Sequence, residues 1–207
     1  MGGRSGGLTA GGRGGLQPGD SNAKEMDIKN VEDLKNIKNR QVYNEMKSAI
    51  SRFYKEMGMP QRKVKLADLP DSVGGVHVTS GGKSEGVYIN KKMFKNATKQ
   101  EIEAKIKESY KKGWTTKTNK PVAHVVTHEL AHSVWNQHMT GIKQKAAGKA
   151  IQAQYNKWLK DKKKTGYGTY AKSNVSEFFA EAITKGIHGK ADKYTKALKK
   201  IVKDYKL

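Results

Sequence analysis

The sequence contains no cysteine, so no disulfide can brace the fold and no thiolate can hold a metal ion. It also has no apolar run long enough to cross a bilayer and no hydrophobic leader core at its N-terminus. Neither a membrane span nor a signal peptide is expected, and the composition suits a cytoplasmic or particle-bound protein. Acidic residues are scarce, with 19 Asp and Glu against 41 Lys and Arg and a formal charge of +22. Such an excess draws polyanions and acidic proteins through long-range, salt-screened fields. It points to non-specific contact with nucleic acid through the basic surface, although a simply solvated lysine surface fits the same numbers. No stretch interleaves aromatics with arginines as a base-stacking platform would.

With 207 residues the chain can bury one sizeable core. Residues 1–24 are rich in glycine, with Arg4 and Arg13, and are expected to form a disordered basic tail. Residues 25–70 read as a helical segment, in which Val42, Met46, Ile50, Phe53 and Met57 keep to one stripe until Gly58 and Pro60. Residues 71–207 form the main domain. Its first part holds two short runs of β-type composition, Gly75 to Ser80 and Gly86 to Asn90, which predict a hairpin or small sheet. Thr98 and Glu101 form a capping-box pair before a helix that ends at Gly113. Further helices are expected from Pro121, after Gly141, from about Asn174 to Lys185 with a stop at Gly186, and around Leu198 and Val202 near the end. The fold class is therefore α+β, mostly helical with a small sheet.

The chemistry centres on His128-Glu129-Leu130-Ala131-His132. Histidines four apart on a helix lie one turn apart on nearly the same face, so both imidazoles can reach one metal ion. Zinc accepts such nitrogens tetrahedrally, leaves a position open for water in catalytic sites and lowers the pKa of that water to about 7. Cobalt, nickel and manganese share these ligand preferences. Glu129, next to the first histidine, is placed to act as general base. Val122, Val125, Val126, Leu130, Val134 and Trp135 make the helix apolar around much of its circumference, as a buried central helix would be.

Three residues compete for the third ligand position. His138 has the spacing of the metzincin pattern, but Trp135 stands where that pattern needs glycine. His124 shares the stripe of His128 and His132, yet three ligands in line on a straight helix cannot converge on one ion. Glu177 is the third, and it also fits a helix-start role opposite Asn174.

The run from Tyr170 through Glu177-Phe178-Phe179-Ala180-Glu181-Ala182 resembles the Y-x6-E-F-F-A-E-A pattern of the anthrax lethal factor family of zinc peptidases, and of zincin-like domains in phage minor capsid or head-morphogenesis proteins. Lys112-Gly113-Trp114 and the stretch Val125 to His132 are similar to the phage proteins as well. The resemblance covers roughly residues 71–188. It implies that His128, His132 and Glu177 bind Zn²⁺, with Glu129 as general base and Tyr170 as the hydroxyl that stabilises the oxyanion. It also implies that Glu181 holds a ligand histidine from behind. Ala131 stands where many relatives have glycine. In zincin folds a strand beside the cleft pairs with an extended substrate. Gly86, Val87, Tyr88, Ile89 and Asn90 are the expected edge, although they could equally be a strand that only covers the core.

The function implied is hydrolysis of a protein or peptide substrate. The competing expectation is a phage-type head-assembly protein whose tail binds DNA or capsid.

Overall fold

The computed structural model describes residues 28–207, apart from 72, 81–82, 136–141 and 164–165. The tail expected over residues 1–24, and His138, lie outside the described residues. The elements run β1 (Lys29–Asp33), a 3₁₀ turn (Leu34–Asn36), α1 (Arg40–Met57), β2 (Val64–Asp68), β3 (Gly75–Ser80), β4 (Lys83–Asn90) and α2 (Lys91–Phe94). Next come α3 (Lys99–Lys111), α4 (Pro121–Trp135), α5 (Ile142–Lys160), a second 3₁₀ turn (Thr169–Lys172), α6 (Val175–His188) and α7 (Lys193–Tyr205). The molecule is mostly helical with one four-stranded mixed sheet, the α+β architecture expected.

α4 forms the centre because its sequence allows nothing else. Every residue from Pro121 to Val134 is buried, as suits a helix that is apolar nearly all round. It packs against α1, α3 and α6 and against β3 and β4. The stripe expected on α1 is the one buried, with Val42, Met46, Phe53 and Met57 in the same core as Leu130 and Phe178. Local signals set several boundaries. Thr98 Oγ1 accepts from Glu101 N at 3.2 Å and Glu101 Oε2 accepts from Thr98 N at 2.7 Å, so the capping box is formed.

The sheet order is β1-β2-β4-β3, and this corrects two expectations. Gly86, Val87, Tyr88, Ile89 and Asn90 lie in β4, which pairs in parallel with β2 and antiparallel with β3. Both of its sides are hydrogen-bonded, so it is not an edge. The strand that covers it is β2, from the segment read as purely helical. Residues 25–70 thus supply two strands and share one sheet and one core with the rest. Asn90 is structural: its amide donates to Val73 O at 2.6 Å and Pro70 O at 2.9 Å, and its Oδ1 accepts from Lys92 N at the start of α2. The outermost strand beside α4 is β3, whose residues Gly75 to Val78 are themselves buried.

α6 also differs from its expected end. It continues through Gly186 to His188, and this glycine serves packing rather than termination, since a Cβ on it would lie 3.0 Å from Thr195 Cβ on α7.

Candidate metal centre

α4 and α6 bring three donors to one point. His128 Nε2 lies 3.0 Å from His132 Nε2 and 3.1 Å from Glu177 Oε2, and His132 Nε2 lies 3.3 Å from the same carboxylate oxygen. Ligand atoms about 2.0–2.1 Å from a tetrahedral ion stand roughly 3.3 Å apart, so this triangle fits such an ion with little adjustment. The one-turn spacing on α4 aligns the histidines. Asn174, at the N-cap of α6, accepts from Glu177 N at 2.9 Å. That puts the Glu177 carboxylate at a helix N-terminus, where the dipole favours negative charge. The helix-start geometry and the converging donor are therefore both present in Glu177.

Each of the two histidines meets a polar group at its other nitrogen. Glu181 Oε1 lies 3.1 Å from His128 Nδ1, and Ser176 Oγ lies 2.9 Å from His132 Nδ1. Such outer partners fix ring orientation and raise ligand basicity. Glu181 has the position expected for it, whereas Ser176 was not singled out in the sequence. A second group of donors, His124, His128 and Glu181, overlaps the first. It shares His128 through the opposite nitrogen, and its carboxylate also accepts from Thr116 N at 2.6 Å. His124 Nδ1 lies 3.2 Å from the Tyr110 hydroxyl. This second group supports the first from behind.

The electrostatics favour a cation. Burial alone would depress His128, but Glu177 and Glu181 outweigh it and push the imidazole up to about 10. Burial would raise Glu177, yet His132 and His128 hold it at about 2. Glu181 is likewise driven below the carboxylate range by His124 and His128 against the effect of burial. Two ionised carboxylates thus sit within a dry pocket of imidazoles.

Glu129 is fully buried and turns towards β3, where a Cβ on Gly75 would come within 2.8 Å of its Cγ. Gly75 therefore lets the edge strand close over this carboxylate. His77, paired with Val87, lies on the same face of β3 as Gly75. It is fully buried, and burial, aided by the charges of His132 and Arg62, lowers its pKa to about 3, so it is neutral. A single histidine in a strand gave no sequence signal.

Tyr170 stacks on His128, with ring centroids 6.1 Å apart and planes inclined by 26°. Its turn is clamped. Tyr170 N donates to Trp114 O at 2.9 Å, Thr169 N to Gly113 O at 2.7 Å and Gly168 N to Thr116 Oγ1 at 3.2 Å. Gly168 has to be glycine, since a Cβ there would fall 2.2 Å from Trp114 O. Residues 168–170 are fixed by these bonds. The Lys112-Gly113-Trp114 stretch supplies the carbonyls, and that role was not visible in the sequence.

The structure thus brings together His128, His132, Glu177, Tyr170 and Glu181, and sets Glu129, next to His128 on α4, against β3. It places Gly86 to Asn90 one strand further from the edge than expected. No protein-family profile, curated protein or solved structure matches this chain.

Proposed function

We propose that this chain is a zinc-dependent peptidase whose metal is held by His128, His132 and Glu177. The observation that carries the reading is the 3.0–3.3 Å triangle of their donor atoms, buried beside Glu129 and Tyr170. Two imidazoles and one carboxylate suit zinc, and the resemblance to lethal factor-type and phage zincin domains favours the same set.

Zinc bound there supplies Lewis acidity, polarising a carbonyl and making a water acidic near neutral pH. Glu129 takes the proton of the attacking water and returns it to the departing amine. The Tyr170 hydroxyl, carried over the ligand histidine, donates to the developing oxyanion. Glu181 and Ser176 keep both imidazoles in their tautomers. β3, the outermost strand, is the one an extended peptide would pair with through its backbone, while side chains settle register. This moves the expected substrate strand from β4 to β3.

The test is metal content of the untagged protein by mass spectrometry. About one zinc per chain is expected in the wild type, with none in His128→Ala and Glu177→Ala. Glu129→Gln should keep the zinc and lose hydrolysis of any peptide the wild type cleaves. Unchanged hydrolysis with zinc retained would refute the assignment of Glu129.

A further inference from the structure

The positive charge of the molecule is uneven. Around β1 to α3 lysines meet carboxylates: Lys91 and Lys95 contact Glu32, Lys99 contacts Glu45 and Lys107 contacts Glu103. The opposite holds for α5, which packs on α7, where Lys193, Lys199 and Lys200 meet Asp161, Glu56 and Asp204 while Lys196 and Lys203 have no carboxylate partner among the described residues. α5 carries Lys143, Lys145, Lys149, Lys157 and Lys160 with no acidic residue at all, and α7 carries five lysines with Asp204 alone. Among the described residues no carboxylate pairs with any of the five α5 lysines. Over residues 142–207 seventeen lysines face five carboxylates, and two of those, Glu177 and Glu181, are buried in the metal centre. Where the two helices meet, Lys157, Lys160 and Lys193 border a shallow groove of about 470 Å³ together with Asp161, which pairs with Lys193.

We infer that the α5–α7 face is a binding surface for the phosphate backbone of double-stranded nucleic acid. α5 has 19 residues, about 28 Å of helix, which matches roughly eight base-pair steps. Of the aromatic rings of the pair, Tyr155, Trp158 and Tyr194 are buried and Tyr205, at the end of α7, is partly buried against the core, so no row of exposed rings is offered for stacking unpaired bases. Lysine alone supplies the charge and cannot make the bidentate contacts that read bases. Binding is therefore sequence-independent, prefers duplex over single strand and falls steeply with salt. This surface shares no residue with the metal donors, so the inference stands apart from the peptidase reading.

The test uses the full chain and a fluorescein-labelled 30-base-pair duplex DNA of arbitrary sequence, titrated by anisotropy across a salt series. One variant changes Lys143, Lys149, Lys157, Lys160 and Lys196 to Gln. A charge-matched control changes Lys47, Lys55, Lys63, Lys65 and Lys105 to Gln. Glutamine keeps helix propensity, and circular dichroism checks folding. The α5–α7 variant should bind at least about tenfold more weakly, with its salt slope reduced by about 0.9 for each lost phosphate contact. The control should change less than about twofold. Equal weakening in both variants would overturn the inference and leave only net charge. It would also fail if deletion of residues 1–24 abolished binding while the α5–α7 variant bound normally, or if the wild type preferred phosphatidylserine vesicles or single-stranded DNA to the duplex.

Discussion

Replacing Gly75 with alanine tests the closeness of β3 to the candidate base. The added Cβ would stand 2.8 Å from Glu129 Cγ, 3.1 Å from Ile89 Cδ1 and 3.2 Å from Tyr88 O. Carbon atoms rest about 3.5–4.0 Å apart, so Glu129 would have to yield by roughly 0.7 Å or more. Ile89 is fully buried and Tyr88 O belongs to an interior strand, so neither can easily give way. β3, on the edge, or Glu129 itself must move. Overpacking of this kind destabilises by about 1–3 kcal/mol, equivalent to a fall of about 2–12 °C in Tm for a chain of this size. The source is isolated by a double-mutant cycle read by urea unfolding. Glu129→Ala removes Cγ, so Gly75→Ala should be milder in that background by about 1 kcal/mol or more. If Gly75→Ala is equally destabilising with and without the Glu129 side chain, the contact does not limit the approach of β3, and the reasoning fails.

Three further outcomes are expected. Glu181→Gln should weaken zinc binding about 10–100-fold, measured by competition with a chelating dye, while the donor triangle remains. Gly168→Ala places a Cβ against the Trp114 carbonyl, so it should destabilise by about 3 kcal/mol or more and speed hydrogen exchange of the Thr169 and Tyr170 amides. His188 is buried with Nε2 2.8 Å from Thr127 Oγ1, and burial, with the charges of Arg52 and His124, lowers it to about 4. Its unfolded form takes a proton near pH 6.5 while the folded form does not, so this contribution is present above 6.5 and declines as pH falls towards 4. The metal-free wild type should therefore lose more stability between pH 6.5 and 5 than His188→Gln does, as urea midpoints will show.

Much of the centre was legible because its residues lie on regular helices. The one-turn spacing of His128 and His132 and the run of valines on α4 specify both the donors and their burial. Glu177 was reached through the resemblance of the Tyr170 to Ala182 run, and the Asn174 N-cap that offered the rival helix-start reading is formed as well. The edge strand was not legible: Gly75 to Ser80 and Gly86 to Asn90 have similar β composition, and which one lies outside depends on β2, a partner about twenty residues upstream. β1, with the sequence Lys-Asn-Val-Glu-Asp, is nearly all polar and exposed, so it carries no alternation to reveal a strand. The clamp of Gly168 on Thr116 joins positions 52 apart, and no periodicity encodes such a contact. His77 was missed because one histidine in a short strand says nothing of what faces it.

Glu181 touches two parts of the centre at once. One oxygen stands behind His128, and the other receives the Thr116 amide, whose own hydroxyl receives Gly168 N at the base of the Tyr170 turn. Ligand basicity and the seat of the tyrosine therefore draw on a single carboxylate. For the cation proposed at His128, thermodynamic reciprocity then couples its binding to the order of the 113–116 and 168–170 turns, so that what loosens those turns would weaken its hold. A substitution at Trp114 or Thr116, neither among the three proposed donors, would thus act on that proposed affinity as much as on the loops.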